Sequence, residues 1–510
     1  MPRIKIELSS SPQTRIKRES SEQESVIEVP AAEARREMPP AARPPKRRIN
    51  NVEGSAAEAR PRKRTAKAKV TNEAPTTRLR VVVFGTGDGG ELGLGPYPYH
   101  DGNPALAVRP RINRLLNPVS VGVVQVAVGG MHCAALTHDG RVLTWGVNDS
   151  KALGRDTTTP SASPDANESD LHTLESTPME VSGLSELGHV FTQVAVTDNA
   201  TFVLTATGLV YGWGTFFGSD GPYGFLKANI QGRNRPRPEE LFQPTPVQIA
   251  GLRDVKELVA GVNHVLALTH NGTVYAWGCG NRGELGRRPG LRRRHEAESL
   301  VPRAINLPKR AIVRIFAGFH HSFAIDNKGS VWTWGLNNFG QTGIPADEGG
   351  LCVELPRVVD SLKGRRITNM AGGFHHSLAC TENGRVLGWG RCDDAQLGIA
   401  VASLPDEDIL VDNQDEPRIL TVPTVIPGLD ASQVAAGIDD SLAINATGKV
   451  LAWGFSDGYR TGLNTEESVQ RPTLLSGKAV HDATFTFAGC GGQFSVIAGP
   501  APTVLIELDG

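Results

Sequence analysis

The 510-residue sequence predicts an all-β chain, a seven-bladed β-propeller closed by strand exchange between its two ends and preceded by a disordered basic tail. Three observations predict this: a sevenfold aromatic-glycine repeat, a sevenfold glycine-turn repeat offset from it, and a sharp change of composition near Thr77.

The first repeat ends β-prone runs: VVVFG at Gly85, LTWG at Gly146, YGWG at Gly214, YAWG at Gly278, WTWG at Gly335, LGWG at Gly390 and LAWG at Gly454. The spacings are 61, 68, 64, 57, 55 and 64 residues, and every Trp except Trp332 sits in one of these pairs, so the tryptophans read as repeat-core residues. The second repeat precedes each later pair, as in VAVGGMHCAALTHDGRV, LVAGVNHVLALTHNGTV and MAGGFHHSLACTENGRV, and closes with FAGCGGQFSVIAG. A strand, a glycine turn, an alternating strand, a two-residue turn such as Asp139-Gly140 or Asn271-Gly272, and a third strand make a β-meander. A period near sixty marks a propeller or a solenoid. The chain opens on an aromatic-glycine element and closes on a glycine-turn element, so the end pieces complete one blade between them. An open solenoid would need polar caps instead. The propeller is placed at residues 78–500, with 501–510 as a short extension.

Residues 1–77 hold 17 Lys and Arg against 10 Glu, a net of +7, while the remainder holds 36 against 44, a net of −8. The first segment has no Trp, Tyr, Phe or Cys and cannot bury enough apolar surface to offset its conformational entropy. Lys46-Arg47-Arg48 and Arg62-Lys63-Arg64 form two basic clusters resembling a bipartite nuclear import signal, and the same charges suit nucleic-acid phosphates. No apolar run approaches the roughly eighteen residues of a membrane span, and the N-terminus is charged where a signal peptide is apolar, so no membrane partner and a soluble intracellular protein are expected. The six cysteines lie far apart without metal spacing, which argues against a disulfide scaffold or a zinc module, so no metal is expected.

Two stretches, Gly85 to Gly90 and Gly278 to Gly283, fit the G-x-G-x-x-G pattern of dinucleotide sites. Such a site needs the glycines to open a helix, whereas here short Glu-Leu-Gly turns follow, so they read as turn formers. With no Walker lysine motif and no Gly-x-Ser-x-Gly elbow, covalent catalysis and cofactors are not expected.

After several aromatic-glycine pairs the chain continues GTGDGGELGLG, GVNDSKALGR, GCGNRGELGR and GRCDDAQLG, with turns such as Gly129-Gly130-Met131-His132. On these motifs the sequence resembles the regulator of chromosome condensation family over nearly all of the chain after the tail. The resemblance, and the plan of a basic tail followed by one propeller, implies guanine-nucleotide exchange on the small GTPase Ran at chromatin in the nucleus. It also implies the nucleosome acidic patch, DNA and a nuclear import receptor as partners. The alternative is a noncatalytic propeller scaffold for nuclear interactions.

The resemblance carries over to single residues. It implies that Asp88 and Asp198 bind the GTPase, that Asn263 holds a third aspartate's place, and that Arg287 contacts the same partner. It links His376 to exchange, and places His375 in the consensus position with His132, His264 and His320; these read first as turn-bonding residues, although His132 is counted with the GTPase set. Phe494 stands where the family often has His. A wedge insertion corresponds to Gly214–Gly224, with Phe216, Phe217, Ser219, Asp220, Pro222 and Tyr223 as its side chains. The arginine-rich stretch after Gly286, with Arg288, Arg292, Arg293 and Arg294, is implied to meet the nucleosome on the face opposite the GTPase. The inserts 156–180 and 404–416 are assigned no role.

Overall fold

The computed structural model describes residues 69–97, 102–158, 171–218, 221–227, 237–288 and 296–502. The import-signal residues Lys46, Arg47, Arg48, Arg62, Lys63 and Arg64, the hairpin residues Ser219 and Asp220, and Arg292, Arg293 and Arg294 lie outside the described residues.

Seven antiparallel sheets follow one another around a central channel, six with four strands and one with five; a separate two-stranded hairpin interrupts the second. Blade 1 shows the plan: Val123–Val128 innermost, then His132–Thr137, Val142–Gly146 and the edge strand Met179–Glu180. Its two middle strands are buried throughout while its edge strand is exposed. Neighbouring blades cover both faces of the middle strands, which is why those runs are buried along their whole length, polar residues such as His132 and Thr144 included.

Blade 7 is built from both ends of the chain. Leu79–Thr86 pairs antiparallel with Phe494–Pro500, from Leu79 opposite Pro500 to Gly85 opposite Phe494, so the ring is closed by hydrogen bonds, as the repeat phase required. Because strands alternate direction, the glycine turns and the connections after each aromatic-glycine pair all lie at one end of the propeller, the upper end. The two-residue turns and the links between blades lie at the lower end.

The glycine of each aromatic-glycine pair lets two chains touch. Gly146 has φ +104°, and a Cβ there would stand 2.6 Å from the Met131 carbonyl oxygen. The residue after each such glycine donates its N–H to a turn carbonyl, Val147 to Met131, Cys279 to Asn263 and so on to Thr86 and Gln493, at 2.8–3.0 Å in all seven blades.

A second set of bonds locks each blade to the next. His132 Nε2 meets Thr201 Oγ1 of blade 2 at 2.8 Å, Thr201 donates to the Ala152 carbonyl at 2.9 Å, and Trp213 Nε1 donates to the same carbonyl at 2.7 Å. The series continues with His321–Ser377–Gln341–Trp389 and His376–Ser441–Gln396–Trp453. In the seam between blades 3 and 4, His264 meets Ser322 and Trp334 donates to the Glu284 carbonyl. Where the hydroxyl donates to the carbonyl, its oxygen is left to accept, so Nε2 carries the imidazole proton.

Between blades 2 and 3 this lock is absent. Ala200 stands where His would be, Val265 where Ser or Thr would be, and among the described residues the buried Trp277 Nε1 has no acceptor. Phe202, Phe216 and Phe225 stack there with centroids 5.7–6.0 Å apart, and Phe202 meets Trp277 edge-on at 5.7 Å.

Trp213→Phe is therefore expected to cost about 1 kcal/mol more than Trp277→Phe, because only the first loses a hydrogen bond along with indole volume. Urea unfolding of the two variants measures the difference, and equal losses would show that the indole bond contributes nothing to the seam.

Candidate functional site

The upper end gathers most of the sequence-derived candidates. Asp88 is exposed on the connection leaving blade 7. Asp198, in the glycine turn of blade 2, reaches the channel, where its carboxylate accepts the Gly130 N–H of blade 1 at 2.9 Å. Desolvation pushes its carboxyl up to about 6, against the lowering effect of that N–H. Asn263 occupies the corresponding region of blade 3, half-buried.

The expected wedge is a hairpin of Phe216–Gly218 and Gly221–Gly224. Phe216 is fully buried at its base, Phe217 and Tyr223 are half-buried, and Pro222 is exposed. It takes the place of the turn that, in other blades, supplies the carbonyl to the next tryptophan.

Counted from the turn glycine, His132, His264, His321 and His376 are equivalent, and the structure corrects the expected assignment accordingly. His376, like His132, is 0% exposed and faces the next blade, so neither meets a partner directly; both are seam residues. His375 instead belongs with Asn263, His320, Asp439 and Gln493, at the outward corner of the turn. It is half-buried, its ring 4.4 Å from Phe339 and 4.5 Å from Phe374. The double His in GFHHS hid the register; a count of three residues from Gly373 would have revealed it.

Arg287 is also reassigned. Its guanidinium donates inward to the Ala276 carbonyl at 2.8 Å and the Ser299 carbonyl at 3.4 Å, and burial lowers its pKa to about 10. Arg288 is exposed and pairs with Glu354 of blade 4 at 3.5 Å. Of the arginine stretch, Arg288 therefore lies at the hairpin's own end, while Arg292, Arg293 and Arg294 are outside the described residues.

Sequence reasoning missed an ion cluster beside His375. Arg391 pairs with Asp439 at 3.1 Å and Asp394 at 2.7 Å, and with Asp393, which also pairs with Arg418. Asp88 and the exposed Asp149 add carboxylates to the upper end, which also carries exposed Lys151, Arg282 and Arg288, and the rings of Phe319, Phe374 and His375 lie half-buried there. At the lower end exposed Arg253, Lys309, Arg310 and Arg365 stand among exposed carboxylates such as Asp254 and Asp360, and Arg366 pairs with Glu382. The described chain also starts there, with Thr71 N donating to the Ala206 carbonyl and Asn72 Nδ2 to those of Thr205 and Val255. Among the described residues no three His, Cys, Asp or Glu side chains are placed to hold a metal.

Residues 80–497 match the model of the RCC1-like domain family. The chain is similar to Protein pim1 of Schizosaccharomyces pombe, 42% identical over 84% of this chain and 76% of that one. It is also similar to Guanine nucleotide exchange factor SRM1 of Saccharomyces cerevisiae, 34% identical over 82% of this chain and 87% of that one. Among solved structures it resembles Prp20p from S. cerevisiae, described with its binding to Gsp1p and histones, at 33% identity and TM-score 0.74 over 86% of this chain and 95% of that one. Prp20 with Kap60 bound gives 32% identity and TM-score 0.75 over 89% and 98%.

The seam histidines set the response to acid. Burial lowers His132 and His264 to about 4 and His376 to about 3, while the unfolded chain takes up protons near 6.5. Their stabilisation is thus complete above about pH 6.5 and lost as pH falls toward 4. Each should contribute a loss on the order of 2 kcal/mol by pH 5, read from urea midpoints, and His376→Asn should lessen the slope; a flat profile from pH 7 to 5 would contradict the buried neutral ring.

Proposed function

The chain belongs to the RCC1-like domain family, and from that membership we propose that it is a guanine-nucleotide exchange factor for a Ran-type small GTPase, held on chromatin in the nucleus. The observation that carries this proposal is the hairpin Phe216–Gly224, which stands at the one seam where the polar lock is replaced by aromatic packing.

Exchange requires no bond made to the enzyme. A surface that binds the nucleotide-free GTPase better than the loaded one weakens the hold on nucleotide by the same factor, because linkage is reciprocal. A closed ring of seven blades supplies a rigid surface, and connections from several blades converge on it. Asp88, Asp198 and the Asp393–Asp394–Asp439 group give this end a negative field suited to steering a basic partner surface. His375, at the outward corner of its turn, offers an uncharged polar contact within that field. Pro222 and Tyr223 carry the hairpin's apolar contact toward the nucleotide site of the bound GTPase.

The lower end suits chromatin. The described chain begins there, beside Arg253, Lys309 and Arg310, whose exposed charges suit phosphates. The tail clusters at Lys46–Arg48 and Arg62–Arg64 would serve a nuclear import receptor. Arg288, exposed at the hairpin's end, can meet an acidic protein surface there.

Release of a fluorescent guanine nucleotide from purified Ran is expected to accelerate in the presence of this protein. Asp88→Ala and His375→Ala should each reduce the acceleration roughly tenfold, the worth of one hydrogen bond to a charged group, without lowering the melting temperature. Folded protein that leaves the release rate unchanged would favour the scaffold function instead.

A further inference from the structure

The hairpin belongs to blade 2 in sequence, yet among the described residues blade 3 supplies polar tethers to a strand amide, to a side chain of the hairpin and to the residue just past it. Phe217 N–H donates to Asn263 Oδ1 at 3.0 Å. Tyr223 hydroxyl meets Ser299 Oγ at 3.0 Å, and Lys227, just past the hairpin, pairs with Glu298. Ser299 and Glu298 end the short helix Glu296–Ser299. That helix is in turn held by Arg287, bound to the Ser299 carbonyl, and by Arg303, paired with Glu298.

These tethers stand where the usual lock does not. In the other tryptophan-bearing blades the indole N–H fixes the preceding connection at 2.7–3.0 Å, but among the described residues Trp277 has nothing to donate to. Aromatic stacking of Phe202, Phe216 and Phe225 holds the hairpin's base in the core. Stacking is weakly directional, and Phe216 lies below the hairpin's outer half. The direction in which the exposed part projects is left to Asn263, Ser299 and Glu298.

We propose that Asn263, Ser299 and Glu298 are positioning residues that set the hairpin's height and angle on the upper end, so that blade 3 governs how blade 2 presses on the GTPase. This rests on the exchange function proposed above. Asn263 acts through the Phe217 amide, a role that needs an acceptor oxygen and no charge. Asp supplies such an oxygen; Ala and Leu do not.

Two measurements on the full chain test it. The first is hydrogen exchange of the Phe217 amide, which needs no GTPase: protection should persist in Asn263→Asp and fall at least tenfold in Asn263→Ala. Equal protection in parent and Asn263→Ala overturns the proposal whether or not exchange activity exists. The second is steady-state nucleotide exchange on Ran. Asn263→Ala and the Ser299→Ala/Glu298→Gln double variant should lower kcat several-fold with KM within about twofold, and Asn263→Asp should restore kcat. A rise in KM at unchanged kcat would make Asn263 a direct contact and overturn the positioning role. Parent protein with no exchange activity defeats the function proposed above and leaves the amide measurement to decide the tether. Urea midpoints of all variants within the parent's range separate positioning from loss of fold; a variant that unfolds is replaced by Tyr223→Phe, which removes the bond to Ser299 and should lower kcat in the same way.

Discussion

The bond series histidine, hydroxyl, carbonyl and indole is what the ring depends on. Each member lies in a different part of the repeat, so one carbonyl at the end of a connection ties its own blade to two side chains of the next. It is buried, and its energy is realised only when every group is paired. Together with the seven N–H bonds beside the aromatic-glycine pairs, it holds the inner ends of the blades at fixed spacing. Four seams, from blade 1 to 2 and from blade 3 through blade 6, carry histidine and hydroxyl together.

The three departures are informative. At the seam of blades 6 and 7, Asp440 replaces the histidine, and desolvation pushes its buried carboxyl up to about 6 beside Cys490 and Arg460. At the seam of blades 7 and 1, Phe494 and Cys133 replace histidine and hydroxyl, so closure by the two chain ends relies on the seven-residue strand pairing of Leu79–Gly85. At the seam of blades 2 and 3 the lock is lost together with the connection that would have completed it. The hairpin is thereby without the bond that fixes its counterparts, and blade 3 tethers it instead.

The repeat itself was legible because its signal is local. Aromatic-glycine pairs and glycine turns recur at fixed places, and the phase of the two at the chain ends gave ring closure. The hairpin was visible as a break in the Glu-Leu-Gly form, and so, in principle, was its seam, since Ala200 and Val265 are substitutions within an otherwise constant pattern. The histidine register was misread because two adjacent histidines fit one consensus place; the count from Gly373 separates them, and so does the full burial of His376 beside the half-buried His375. Arg287 could not be read correctly at all: whether a guanidinium faces a partner or its own backbone is settled by carbonyls eleven or more residues away. The ties of Tyr223 to Ser299 and Lys227 to Glu298, across more than seventy residues, lie beyond any local pattern for the same reason.

The central claim is that the blade 2 hairpin, and not the propeller surface alone, drives nucleotide release. Replacing Thr215–Leu226 with the Cys279–Leu285 sequence of blade 3 should give Trp277 a carbonyl acceptor and leave the ring folded. Stopped-flow release of fluorescent GDP from Ran measures the consequence directly. The account predicts that this variant still binds the GTPase through the upper end but accelerates release little; a variant that releases nucleotide as fast as the parent would contradict it.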